Sequence, residues 1–327
     1  MRTRDRIGDT ALHLLAWRQY DILREETARC VNLLLSDPRT DVNAKDGTAH
    51  QRTPLMIAVK WGAETMVRKL LQHKDISLGP RNNQGNLAEY VLRDSYVGCL
   101  RLLLKDDRIS VNALGWSDYT ALIIAVQSAN VACVRTLLDC PKVDANIRCA
   151  RGLTPLFFAI NGKNVECLNG LLQCPKVDVN IRSSQGLTPL TYAIKRSTFK
   201  IVDVLLKCSR VDVNIRESRG NTALHHACRL MGSHLVERIL QTDDTWSTKC
   251  DVNARDDRGL TALHVCVKKD YLHLASLLVK VHGIRRDLKS DDGRTPLELA
   301  RHLDNRPMIR LLRPPRFQAA KRFFRVI

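Results

Sequence analysis

The sequence predicts an all-α protein, a curved solenoid of stacked helix–turn–helix units joined by short β-hairpin turns. Two observations carry this prediction: one segment returns almost unchanged after 34 residues, and a Thr-Pro-Leu or Thr-Ala-Leu string recurs along the chain. Residues 140–156 read CPKVDANIRCARGLTPL, and residues 174–190 read CPKVDVNIRSSQGLTPL. Self-similarity with a period of about 20 to 50 residues is typical of solenoids and other repeat arrays.

The short string marks the units along the chain. It begins at eight threonines: Thr10, Thr53, Thr120, Thr154, Thr188, Thr222, Thr261 and Thr295. The long gap after Thr53 holds a degenerate copy, GNLAEYVL, at residues 85–92. Nine units therefore fit residues 1–313, starting near residues 8, 51, 85, 118, 152, 186, 220, 259 and 293. Residues 314–327 are left as a separate basic segment.

Each unit has a local physical interpretation. A threonine before proline provides an N-cap oxygen, and the proline suits the first helical turn. In the fifth unit we expect a helix over residues 154–162, ended by Gly162. A second helix is expected over residues 164–174, because Val165, Leu168, Leu171 and Leu172 recur at helical spacing. One such unit cannot bury its apolar face alone, so the units must stack.

Three later copies carry a family resemblance: GNTALHHA at residues 220–227, GLTALHVC at 259–266 and GRTPLELA at 293–300. With the Asp-Val-Asn string that precedes such copies, the sequence resembles the ankyrin-repeat family. The resemblance implies an ankyrin-repeat solenoid that acts as a non-catalytic protein-binding scaffold or adaptor. It also implies that His13, His225 and His264 hydrogen-bond a neighbouring turn rather than bind zinc.

The chain shows no sign of catalytic or cofactor chemistry. Phosphate-binding loops, nucleophile elbows and kinase signatures are absent from the sequence. We therefore predict no enzyme activity, no cofactor, no metal site and no small-molecule substrate. Cys140, Cys174 and Cys208 are 34 residues apart, as are Cys99, Cys133 and Cys167. Equivalent positions on packed helices lie about 8–10 Å apart, too far for a disulfide.

Reduced thiols predict a reducing compartment, the cytoplasm or alternatively the nucleus. No stretch of the sequence approaches the roughly 20 apolar residues of a membrane span, and no transmembrane segment is expected.

The resemblance places the binding surface on the concave face, at the turn tips and the ends of the first helices. Carried over by register, the first half of the chain offers an aromatic set: Trp17, Lys60, Trp61, Trp116 and Tyr119. The second half offers a basic set: Lys195, Arg196, Arg219, Arg229, Arg258, Lys268, Lys269 and Arg294. The aromatic residues could instead pack against neighbouring repeats. The basic residues could be a solvated face, and Asp257, Asp291 and Asp292 lie among them.

In the absence of catalytic motifs, the surface charge is the feature of the sequence that indicates a function. The formal net charge is +18, and cations converging on one strip would attract an acidic protein segment or domain. One alternative is electrostatic binding of nucleic acid or an anionic membrane by the basic face and the tail. In that tail, residues 314–327, Phe317, Ala320, Phe324 and Ile327 recur at helical spacing, so it could also cap the last repeat. A second alternative is substrate recognition for a ubiquitin ligase.

The resemblance also implies a modification. Asparaginyl hydroxylases act on ankyrin-repeat asparagines that follow a leucine by eight residues. Asn146, Asn180 and Asn214 fit this rule, with Leu138, Leu172 and Leu206 upstream. These three asparagines are the candidate hydroxylation sites.

Overall fold

The computed structural model describes residues 5, 8–17, 24–78, 96–115, 118–241 and 250–313. They belong to two compact units, Met1–Asp178 and Val179–Ile327. Trp116, the degenerate copy at residues 85–92 and the tail at residues 314–327 lie outside the described residues. The predicted starts of the individual repeats, near residues 8 to 293, and their count of nine stay predictions.

The first unit is built from helices in two layers. The described helices of this unit are α1 Ala11–Trp17, α2 Arg24–Ser36, α3 Pro54–Lys60, α4 Glu64–Gln72, α5 Val97–Lys105, α6 Ala121–Gln127, α7 Val131–Asp139, α8 Pro155–Asn161 and α9 Val165–Gln173. The first helices of successive repeats pack on one another, as α1 does on α3 and α6 on α8. The second helices form the other layer, where α2 packs on α4 and α5 on α7.

The second unit repeats this two-layer arrangement. Its described helices are α10 Pro189–Lys195, α11 Phe199–Leu206, α12 Ala223–Arg229, α13 Ser233–Leu240, α14 Ala262–Lys268, α15 Leu272–Leu278, α16 Pro296–His302 and α17 Arg306–Leu312. One layer contains α10, α12, α14 and α16, each packed on the next, and the other contains α11, α13, α15 and α17 in the same way. The predicted all-α solenoid architecture is confirmed, and each pair of helices leaves a turn tip at one edge.

The recurrent threonines begin the first helix of the repeats, as the sequence predicts. Five of them accept a hydrogen bond from the backbone N–H three residues on: Thr53, Thr120, Thr188, Thr261 and Thr295. Thr154 also stands at an N-cap, but its buried hydroxyl has no partner among the described residues. The same motif therefore makes its capping bond in most repeats but not in the fifth.

The fifth repeat confirms both predicted helices and corrects how the first one ends. Helix α9 starts after Asn164, whose side chain accepts from the Cys167 N–H at 2.9 Å. Helix α8 stops at Gly162, yet Gly162 has a φ of −75°. The left-handed residue is the next one, Lys163, with a φ of 54°. Ala129, Ser197, Met231 and Asp270 also have positive φ after their first helices, so this turn is repeatedly made without glycine.

The described turns between repeats differ from the β-hairpins that the sequence predicts. Among the described residues none is a strand; each turn is closed instead by a backbone hydrogen bond. The Ser183 N–H donates to the Leu187 carbonyl at 2.9 Å, and the Asp256 N–H donates to the Leu260 carbonyl at 2.8 Å.

The Thr-Ala-Leu-His histidines are structural, as the resemblance implies. Nδ1 of His225 accepts from the Thr222 N–H at 3.2 Å, so Nε2 carries the proton and donates to the Leu260 carbonyl at 3.0 Å. His264 bridges Thr261 and Arg294 in the same way. Burial lowers the pKa of both imidazoles, which favours the neutral form that these bonds require.

Buried thiols fill part of the core. Cys99, Cys133 and Cys167 occupy equivalent helix positions, and all three are buried. Burial raises the pKa of Cys99 to about 12 and also raises the pKa of Cys133 and Cys167. The eleven cysteines are thiols, and no disulfide joins them. Raised pKa values keep such thiols protonated and unreactive, so they act as small apolar side chains.

Candidate functional site: a basic groove in the second unit

A groove of about 700 Å³ opens in the second unit between two turn tips and the ends of two first helices. Five of the eight predicted basic residues line it: Arg219, Arg229, Arg258, Lys268 and Lys269. Arg219, Arg258 and both lysines are exposed, whereas Leu260 and Val265, which also line it, are buried. The groove therefore has a cationic rim, and its base combines the apolar Leu260 and Val265 with the buried polar Asn221 and Asp256.

Turn geometry places the two rim arginines. Arg219 and Arg258 each precede a turn glycine, and Gly259 has a φ of 67°, which suits a residue without a side chain. The Asp257 N–H donates to the Arg219 carbonyl at 3.1 Å, which ties one tip to the next. The Asp291 N–H makes the same bond to the Arg258 carbonyl at 3.0 Å. The main chain of each rim arginine is thus held by the following repeat.

Helix α14 supplies the opposite side of the rim. Lys268 is its last residue and Lys269 is its C-cap, so the two ammonium groups stand where the helix ends. Cations are stabilised at this position by the partial negative charge of a helix C-terminus. Because the helix ends at the turn beside the groove, both of these terminal lysines line the groove.

One carboxylate at the base of the groove is fully engaged by the fold. Asp256 is buried and accepts the backbone N–H groups of Arg258 and Leu260, each at 2.9 Å. The guanidinium of Arg229 lies 3.4 Å from its second oxygen. Asp256 therefore shapes the turn and holds Arg229, and it offers little free charge to a ligand.

Two exposed carboxylates near the rim are paired with arginines of the turns. Arg216 lies 3.4 Å from Asp257, and Arg255 lies 3.4 Å from Asp291. These pairs offset two of the three acidic residues that could weaken the basic field; the third, Asp292, is exposed and does not line the groove. Within the part of the chain that the structure describes, no carboxylate lies within ion-pair distance of four rim cations: Arg219, Arg258, Lys268 and Lys269.

Three predicted basic residues do not line the groove. Arg196 lies over the Tyr192 ring at 5.0 Å and donates to its hydroxyl at 2.9 Å. Lys195 is the exposed last residue of α10. Arg294 is half-buried, and its carbonyl accepts from the Ser290 N–H and from Nε2 of His264. The basic set is therefore divided between a groove and its surroundings.

The sequence analysis missed the polar and apolar residues of the groove. Asn221 and Leu260 follow Gly220 and Gly259, so they occupy the register position that the family resemblance assigns to the binding face. Only charged and aromatic side chains were selected at those positions. Val265 carried no comparable signal, because a valine in a first helix looks like a core residue.

A second feature without a sequence signal is a buried polar cluster below the tip that bears Arg219. Glu217 accepts from Nε2 of His226 at 2.8 Å and from the Thr191 hydroxyl. Burial alone would raise the pKa of the Glu217 carboxyl, but these two hydrogen bonds bring the pKa below its ordinary value. The carboxylate therefore stays ionised and anchors the turn.

The described members of the aromatic set of the first unit are engaged in packing, and Trp116 lies outside the described residues. The rings of Trp17 and Trp61 lie 5.7 Å apart, with Arg52 over Trp17 at 5.0 Å and Lys60 over Trp61 at 5.7 Å. Tyr119 packs edge-on against Phe158 at 5.2 Å. Trp17 keeps 38% of its surface exposed, so only part of this set is open to a partner.

The candidate hydroxylation sites bridge consecutive turns. Asn146 donates to the Lys176 carbonyl and accepts from the Asp178 N–H, and Asn180 does the same with Arg210 and Asp212. Asn214 accepts from the Asp251 N–H at 2.8 Å. All three are half-buried. Their hydroxylation stays a prediction.

Comparison with known proteins identifies the family. A family model described as "Ankyrin repeats (3 copies)" matches residues 21–114, 88–183, 164–248 and 232–320. The chain belongs to the ankyrin-repeat family. Ankyrin repeats generally mediate protein–protein interaction and are typically non-enzymatic binding scaffolds.

One solved structure supports the fold. An ankyrin repeat protein, EF0377, is 22% identical, with a TM-score of 0.51, over 62% of this chain and 98% of its own. A second match is a chain from the structure of the predatory endopeptidase Bd0816 from Bdellovibrio bacteriovorus in complex with immunity protein Bd3460. That chain is 25% identical over 58% of this chain and 95% of its own length, with a TM-score of 0.47. No curated protein matches the chain.

The described residues hold neither a cluster of metal ligands nor a membrane-spanning helix. No group of three or more His, Cys, Asp or Glu side chains is arranged there as metal ligands would be. No helix of that part of the chain is long and apolar enough to cross a bilayer.

Proposed function

We propose that this ankyrin-repeat protein is a non-catalytic scaffold that binds an acidic segment of a partner protein in the basic groove of its second unit. The proposal rests on four exposed cations around one groove, in which the lining carboxylate Asp256 is buried and the lining carboxylate Asp257 is paired with Arg216. Such an arrangement focuses positive potential on a small concave surface and raises the rate at which an acidic partner associates.

A polyanion is the rival ligand. Nucleic acid or an anionic membrane would engage many cations over a long surface, and its binding would weaken steeply with salt. The groove is instead local, and carboxylates alternate with the cations around it, as at Asp257 and Arg258. This mixed pattern favours a protein segment, whose charges are discrete, over a continuous phosphate backbone.

The test is affinity purification from a cell lysate, with and without nuclease, at low and at moderate salt. The groove variant carries Arg258→Glu, Lys268→Glu and Lys269→Glu. A matched control carries Lys200→Glu, Lys207→Glu and Lys280→Glu, three exposed cations of the same unit that lie outside the groove. Both variants have the same change in net charge and in residue number, so non-specific electrostatics affects them alike.

We expect an acidic protein that the parent chain and the control retain and the groove variant loses. Recovery of nucleic acid alone, or equal loss with both variants, would replace the proposal by the polyanion alternative. Equal retention by all three chains would move the binding site away from the groove, with the exposed Trp17 surface as the next candidate.

A further inference from the structure

The base of the basic groove points to a more specific ligand. Leu260 is the residue after the turn glycine, Val265 lies in α14, and both are buried side chains that line the cavity. A purely acidic segment would contact the cationic rim and leave the cavity above these side chains unfilled. An apolar side chain that entered the groove would fill part of it, and the volume of about 700 Å³ lies within the range of small-ligand pockets.

The rim chemistry favours an aromatic side chain. Arg219 and Arg258 are exposed, and within the described residues their guanidinium groups have no carboxylate partner. A planar guanidinium stacks on aromatic faces and attracts their electron density. The same chain does this twice elsewhere, where Arg52 lies 5.0 Å from the Trp17 ring and Arg196 lies 5.0 Å from the Tyr192 ring.

The lysines of the rim suit the charge that flanks such a ring. Lys268 and Lys269 are compact, strongly hydrated charges at the end of α14, and a carboxylate is their natural partner. They lie close to the apolar side chain of Val265, which is one turn earlier in the same helix. An aromatic residue with acidic neighbours would therefore satisfy the base, the guanidinium groups and the ammonium groups together.

We infer that the ligand of this groove is an acidic protein segment that inserts one aromatic side chain between the rim arginines, over Leu260 and Val265. The inference rests on the proposed function and adds a recognition element to it. The acidic residues would supply steering and affinity, and the ring would supply selectivity among acidic segments.

The test measures the binding of fluorescein-labelled heptapeptides to the full chain by fluorescence anisotropy. The first peptide has six acidic residues around a central Phe. The second replaces Phe by Ser, and the third replaces Phe by cyclohexylalanine, which keeps the apolar bulk without a π face. The groove variant Arg258→Glu, Lys268→Glu, Lys269→Glu and the control Lys200→Glu, Lys207→Glu, Lys280→Glu are measured with the first peptide.

We expect the Phe peptide to bind about tenfold more tightly than the Ser peptide, since apolar burial and the arginine contact both add to it. The cyclohexylalanine peptide should fall between them. The control chain should bind the Phe peptide as the parent does, and the groove variant should lose it.

Two results would overturn the inference, and they differ in what they leave standing. Equal affinity of the Phe and Ser peptides, with loss in the groove variant, would remove the aromatic element and keep the acidic-segment function. Binding of none of the peptides, or equal binding to the parent chain and the groove variant, would contradict the proposed function as well.

Discussion

Asn146 joins two consecutive turns of the first unit through both ends of its side-chain amide. Its Nδ2 group donates to the Lys176 carbonyl at 2.8 Å, and its Oδ1 atom accepts from the Asp178 N–H at 2.8 Å. Asn112 makes the equivalent pair of bonds to Lys142 and Asp144. The recurrent Asp-x-Asn string is therefore a structural connector, because each amide fixes the distance between one turn and the next.

Asn146→Ala should lower the free energy of unfolding by about 1–3 kcal/mol, because two backbone groups lose their partner. Urea unfolding monitored by circular dichroism measures the change. Asn161→Ala is the matched control, since Asn161 is exposed at the end of α8. Equal losses in the two variants would show that the bridging bonds contribute little.

At the same scale, Lys163 shows what the sequence does not reveal. A glycine in a turn usually predicts the residue with left-handed backbone, yet φ is 54° at Lys163 and −75° at the preceding Gly162. The packing of α8 and α9 imposes this conformation, and a single-residue preference carries no sign of it. The ring contact of Trp17 with Trp61 is similar, because it depends on which repeats become neighbours.

At the scale of the element, the sequence is most informative at helix starts. Thr-Pro-Leu predicts an N-cap and a first turn, and α3, α8, α10 and α16 begin with that proline. Whether the cap forms its hydrogen bond depends on side-chain placement within the stack. Thr120 accepts from the Ile123 N–H at 3.3 Å, whereas the hydroxyl of Thr154 has no partner among the described residues.

This difference gives a comparison of two identical substitutions. Thr120→Ala should cost about 1 kcal/mol of stability, the usual value of a lost N-cap. Thr154→Ala should cost clearly less, since it removes a buried hydroxyl that satisfies no backbone group. Unfolding in urea with both variants measured side by side decides the point. A larger loss at Thr154 would mean that its hydroxyl does cap α8 in solution.

At the scale of the whole molecule, three buried groups of the second unit link stability to pH. Burial lowers the pKa of His225 and His264, and hydrogen bonds from His226 and Thr191 outweigh burial to lower the pKa of Glu217. In each case the unfolded chain binds protons more readily than the folded chain. Stability contributed by these groups is therefore present at neutral pH and is lost as the pH falls.

We expect the free energy of unfolding to decrease from about pH 7.5 to about pH 5.5 as unfolded histidines become protonated near their ordinary pKa of about 6.5. A further decrease should follow below about pH 4.5, where Glu217 contributes. Urea titrations at stepped pH measure both. Stability that stays constant or rises between pH 7.5 and 5.5 would contradict the neutral, buried state of these histidines.

The candidate groove was only partly predictable at this scale. Five of the cations that the repeat register selects line one groove, because equivalent positions of successive repeats face the same way. It could not separate Arg196, which packs on Tyr192, from Arg258, which stays exposed. It also could not show that Asp257 and Asp291 would pair with Arg216 and Arg255, since those contacts join residues 41 and 36 positions apart.

Site-specific photo-crosslinking in cells tests whether a partner protein contacts this groove. A photoreactive phenylalanine replaces Arg258 in one chain and Lys268 in a second, with Lys200 as the exposed control outside the groove. We predict that an acidic protein is crosslinked from positions 258 and 268 and not from position 200. Crosslinks from position 200 alone, or from none of the three positions, would contradict the assignment of the groove as the binding site.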